Sequence, residues 1–100
     1  MKKIVLSADN YPCIYIVPDF IAGNMKEYID QFFDWLYNEN NDHGYWVKTS
    51  AGELRGVCYT EEAYIKWLNE FVVGDSEKAI LVEKKKVLTE VENLYPRFNF

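Results

Sequence analysis

"KIVLSADNYPCIYIV", Lys3–Val17, is the stretch on which the fold turns. Two runs of β-branched, aliphatic and aromatic residues, Lys3–Ser7 and Cys13–Val17, flank a short polar insert. Asp9, Asn10 and Pro12 bring turn chemistry to that insert, so the stretch predicts an antiparallel hairpin. The second run, "CIYIV", does not alternate. It is apolar on both faces, which marks a central strand covered on both sides. Pro18 ends it.

What covers such a strand follows in the sequence. "NMKEYIDQFFDWLYNEN", Asn24–Asn40, sets Met25, Ile29, Phe32, Phe33 and Leu36 on one face at 3.6-residue spacing, with Glu27, Asp30, Gln31, Asp34 and Asn38 on the other. Trp35 and Tyr37 fall at the borders, and Asn24 with Glu27 three places on predicts a reciprocal N-cap. "GYWVK" and "ELRGVCY" around "TSAG" predict a second hairpin closed by Gly52. "TEEAYIKWLNEFVVG" predicts a second helix capped by Thr60 and closed by Gly74. Its apolar face is Tyr64, Ile65, Trp67, Leu68, Phe71 and Val72, and Glu62 and Lys66 make an i,i+4 pair on its exposed side. After it, residue types favour a strand over Ala79–Glu83 and then a helical or irregular segment. One long helix with Ile80, Leu81, Val87, Leu88, Val91, Leu94 and Tyr95 on a shared face stays open as the alternative. The order β-β-α-β-β-α-β predicts an α+β fold, an antiparallel or mixed sheet of about five strands packed against two helices, with residues 1–100 as a single domain.

The charge is unevenly placed. From Asp9 to Glu77 there are 13 acids against Lys26, Lys48, Arg55 and Lys66, a local net of −9. Lys2, Lys3, Lys78, Lys84, Lys85, Lys86 and Arg97 against Glu83, Glu90 and Glu92 make the ends positive by +4. A field of this sign repels nucleic acid and anionic lipid and steers basic partners inward. The Lys84–Lys86 run, beside Glu83 and an acidic remainder, reads as a solvated tail. No apolar run approaches the ~20 residues of a membrane span, and the N-terminal run is too short for a signal peptide, so a cytoplasmic protein is expected. Cys13 and Cys58, in strand-like segments, then read as buried free thiols.

Chemistry-bearing residues are few. His43 is the single histidine, preceded by Asp42 in "NENNDHGYWVK". Sequence neighbours seldom form a working dyad because their side chains diverge, and the segment reads as a polar connector with Asn40, Asn41 and a positive-φ Gly44. Cys58 sits just before the second helix, where a dipole favours a thiolate. The pairs Asp30 with Asp34, Glu61 with Glu62 and Glu39 with Asp42 run along exposed faces rather than converging. With no Gly-rich phosphate loop, paired-His zinc spacing, EF-hand or Gly-x-Ser-x-Gly elbow, no cofactor and no metal are expected. What remains is the acidic face Glu27, Asp30 and Asp34, edged by Trp35 and Tyr37 and extended by Glu39, Asp42 and His43. Carboxylates bond Lys and Arg strongly, and aromatics anchor interfaces, so these eight residues form the expected partner-binding surface.

In general character the chain resembles the small acidic immunity proteins of bacterial toxin systems. The likeness is one of type: a single acidic, aromatic-rich α+β domain without a catalytic constellation. No binding residue is carried over from it. The resemblance implies an inhibitor that occludes the basic surface of a toxin domain, with a nuclease as one such target. Two readings of other classes stay open: a small enzyme or ligand-binding domain using His43, Asp42 and Cys58, and a homo-oligomeric adaptor associating through its aromatic surface.

Overall fold

The computed structural model describes residues 1–8 and 11–100, so the turn residues Asp9 and Asn10 assigned above lie outside it. Strands β1 (Lys2–Ser7) and β2 (Cys13–Val17) pair antiparallel, from Lys2 opposite Val17 to Leu6 opposite Cys13. On its other side β2 pairs antiparallel with β5 (Ile80–Lys84), and β6 (Arg97–Asn99) joins the far edge of β1 in parallel. The order β5-β2-β1-β6 makes the doubly apolar "CIYIV" run an interior strand, as its composition requires.

Helices α1 (Asp19–Gly23), α2 (Met25–Leu36) and α3 (Glu61–Phe71) pack on one face of this sheet. From the sheet come Ile4, Leu6, Cys13, Tyr15 and Val17; from the helices, Ile21, Ile29, Phe32, Leu36, Tyr64, Trp67 and Leu68. The α+β class and the mixed sheet packed against helices are thus observed, with the strands divided differently. Four strands form the main sheet, and β3 (Trp46–Lys48) and β4 (Leu54–Val57) form a separate two-stranded sheet. Gly52, at φ +84°, turns that hairpin as expected.

Several local expectations are corrected. Asn24 makes no side-chain cap on α2. The chain reaches it from the unforeseen α1, and its amide donates instead to the Phe20 carbonyl at 2.9 Å. The α3 cap does form, with Thr60 Oγ1 accepting from the Glu62 N–H at 3.3 Å. That helix stops at Phe71, three residues before Gly74, and neither Gly74 nor Gly44 has a positive φ. Phe71, placed on the apolar face, is 56% exposed, and the ion pairs among the described residues do not include Glu62 with Lys66.

The route from β5 to β6 runs from one edge of the sheet to the other. Helices fill one face, so the crossover passes over the opposite one, where Val5 and Ile14 alternate with the core residues of β1 and β2. Both are at most 2% exposed, yet they stand outside the helix-side core. Within the crossover "TEVE", Thr89–Glu92, closes a capping box: the Thr89 N–H donates to Glu92 Oε1 at 2.8 Å, and the Glu92 N–H donates to Thr89 Oγ1 at 3.2 Å. Those bonds, with Lys85 Nζ at 3.1 Å, hold the Glu92 carboxyl below its usual range.

Candidate functional site

An α-helix leaves its last carbonyls without partners, and something must satisfy them. In α2 the loop that follows does so. Asn41 Nδ2 donates to the Trp35 carbonyl at 2.8 Å, and His43 Nε2 lies 2.6 Å from the Leu36 carbonyl. A carbonyl only accepts, so Nε2 carries the proton, which leaves Nδ1 to accept from the Tyr45 N–H at 3.3 Å. That N–H also bonds the His43 carbonyl, tightening the turn at Gly44 without a positive φ. Trp46 Nε1 donates to the Asn41 carbonyl at 2.7 Å, and the Cys58 N–H to the Tyr45 carbonyl at 2.9 Å, which tie the loop to the small hairpin.

These bonds fix a set of rings. The His43 imidazole stacks on Trp46 at 5.1 Å and 14°, and its centroid is 4.8 Å from that of Trp35. Trp35 in turn meets Phe71 of α3 at 5.8 Å. Between the loop and α3 the rings border an open groove of about 530 Å³. Trp35, Asn40, Asn41, Asp42, His43, Gly44 and Tyr45 line it on one side, Ala63, Lys66, Trp67, Glu70 and Phe71 on the other. Volumes of this order are typical of ligand and side-chain pockets.

Of the eight residues predicted to bind a partner, three come together here: Trp35, Asp42 and His43. Glu27, Asp30 and Asp34 lie exposed along the outer face of α2, where Lys26 pairs with Asp30 at 3.3 Å. At 1.5 Å rise per residue, Glu27 is about 12 Å along the axis from Trp35. Tyr37 leaves on another flank, 6.2 Å from Phe33 and against Tyr59, while Glu39 is exposed in the loop. The α3 wall was not foreseen. Its signal is in the sequence, because Ala63, Lys66, Trp67, Glu70 and Phe71 repeat at i, i+3, i+4, i+7 and i+8 and so share one helix face.

The alternative catalytic set fares differently. Both ring nitrogens of His43 are engaged by backbone groups, so neither is available to take a proton from Cys58 or from a bound molecule in this arrangement. Cys58 is an exposed free thiol rather than a small core residue. Cys13 is the buried one, donating to Glu61 Oε1 at 3.2 Å; burial and that carboxylate push its pKa up to about 11, the opposite of a nucleophile's requirement. Glu61, expected on an exposed face, is buried at 7%. Burial also raises the Tyr64 phenol, whose hydroxyl has no hydrogen-bond partner among the described residues.

Among the described residues no group of three or more His, Cys, Asp or Glu could hold a metal ion, and no helix is long and apolar enough to cross a membrane. The acids concentrate in α2, α3 and the loop between them, whereas Lys2, Lys3, Lys84 and Arg97 sit in the main sheet and Lys85 and Lys86 in its crossover. Comparison with protein-family models, with curated proteins and with solved structures finds no match to this chain.

Proposed function

We propose that this protein is a binding protein for a partner with a basic surface, and that it acts as an immunity-type inhibitor covering the cationic cleft of a toxin domain, with a nuclease as the partner its charge suits best. One observation carries the reading. The single histidine is engaged as a structural hydrogen-bonding hub, while the groove it shapes opens between Asp42 and Glu70, which join none of the ion pairs among the described residues, and aromatic rings of which Phe71 is exposed and Trp35 and Tyr45 are half-buried. Such a site is arranged for contact rather than proton transfer. The acidic outer face of α2 adds long-range steering.

The test is kinetic. A basic nuclease domain captured by this protein should lose activity on stoichiometric addition. Reversing charge with Asp30→Lys and Asp34→Lys together should slow its association by about tenfold at low salt and flatten the salt dependence. Unchanged association across salt concentrations would remove the acidic helix from the interface and the inhibitor reading with it. A second reading, self-association, draws on Ile80, Leu81 and Val82, which are about half exposed on the edge strand β5. Light scattering against concentration tests it, and a monomer at every concentration removes it.

A further inference from the structure

We infer that the groove between the His43 loop and α3 seats an arginine side chain of the partner, its guanidinium stacked on Trp35 and Phe71 with Asp42 and Glu70 as counter-charges. The inference rests on the proposed binding of a basic protein and names the contact that would anchor it.

Three independent features favour a cation here. First, the ion pairs among the described residues use neither Asp42 nor Glu70, although both line the groove and face a single lining cation, Lys66. Second, two helices end at this place. Trp35 lies in the last turn of α2 and Phe71 is the last residue of α3, and neither last turn carries a basic residue. Asn41 and His43 already satisfy the Trp35 and Leu36 carbonyls of α2, so it is chiefly the C-terminus of α3 whose negative pole a cation of the partner would complement. Third, aromatic rings stand on both sides of the groove, Trp35 and Tyr45 on one and Trp67 and Phe71 on the other, and a ring attracts a cation through its quadrupole. Phe71, 56% exposed beside Trp35, is left open to receive one.

The choice of arginine follows from shape. Its guanidinium is flat, weakly hydrated and able to stack on a ring while its edge donates to carboxylates on separate elements. An ammonium is a compact, strongly hydrated point charge that gains less from two flat walls. Lys66 opposes the incoming charge and therefore limits the affinity.

The experiment uses the full chain and three blocked tripeptides, acetyl-Gly-X-Gly-amide, with X as arginine, citrulline or lysine. Amide and indole NMR shifts and tryptophan fluorescence follow each titration at low salt. Arginine should shift the Trp35 and Trp46 indole N–H and the Gly44 and Phe71 amides saturably, and citrulline, its uncharged isostere, should bind about tenfold more weakly. Asp42→Asn with Glu70→Gln should abolish the shifts while circular dichroism stays unchanged, and Lys66→Gln should tighten binding. Equal binding of citrulline or lysine, or shifts that map away from the groove, would overturn the assignment. Should arginine leave the groove untouched while reversal at Asp30 and Asp34 still slows the partner, this inference fails and the binding function stands. The opposite pattern would keep the arginine site and reject the inhibitor reading.

Discussion

Two clusters of rings share one residue and are built on different physics. Around Phe32, which is fully buried, six rings (Phe33, Trp35, Tyr59, Tyr64, Trp67 and Phe100) lie with centroids 5.5–6.1 Å away. Around His43 the rings Trp35, Tyr45 and Trp46 lie closer, at 4.8–5.5 Å, yet the cluster is half open and is held in place by backbone hydrogen bonds. Trp35 belongs to both. The first cluster gains from removing ring surface from water. The second gains mainly from satisfying the end of α2, and leaves ring faces and carboxylates available to another molecule. The same residue type therefore serves stability in one place and recognition in the other, with the difference set by what closes over it.

The largest expected effect follows from the closed cluster. Phe32→Ala removes the ring that six others pack on, and such truncations cost about 3–5 kcal/mol. Against the ~5–15 kcal/mol that typically separates folded from unfolded domains, the variant should be marginal. A urea titration would read the loss as a lower midpoint with an unchanged slope, and Phe32→Leu should recover part of it. A cost below about 1 kcal/mol would mean that the cluster rearranges and is not the rigid centre described above.

His43→Ala comes next, with about 1–2 kcal/mol expected from the half-buried Leu36 carbonyl losing its donor, while the Tyr45 N–H keeps only its bond to the backbone carbonyl of residue 43. The damage should be local. Hydrogen exchange at the Tyr45 amide and in the last turn of α2 should speed up, while the β1–β2 amides stay protected. If exchange accelerated evenly across the sheet, the two clusters would be one cooperative unit and the comparison would collapse.

The part of the molecule legible in the sequence is the part governed by short-range periodicity. "CIYIV" announced its central place because lack of alternation is a property of five consecutive residues, and Phe32 announced its burial through its spacing from Ile29 and Leu36. Gly52 and Thr60 were equally local. The separation of β3 and β4 from the main sheet was not legible, because strand-like residues do not specify which strand they join. Nor was β6, only three residues long and paired in parallel to β1 some 90 residues earlier. His43 illustrates the same limit. Its place in a polar connector was readable, but its two backbone partners depend on how tightly the loop folds back over Leu36. The groove needed α3 beside that loop, so Lys66, Glu70 and Phe71 could be read as one helix face but not as its wall.

The smallest effect on stability should come from Phe71→Ser, and that smallness is its value. A residue 56% exposed at the end of a helix contributes little to the core, and changes at such positions usually fall within about 0.5 kcal/mol. It is also one of the two ring faces assigned to the incoming guanidinium, so binding of the arginine tripeptide should fall several-fold while the urea midpoint stays near the native value. Phe32→Leu should do the reverse, lowering the midpoint while its folded fraction binds normally. If Phe71→Ser instead cost as much stability as His43→Ala, its ring would be a structural part of the His43 cluster. The exposed face beside Trp35 would then be a by-product of packing rather than a surface kept open for a partner.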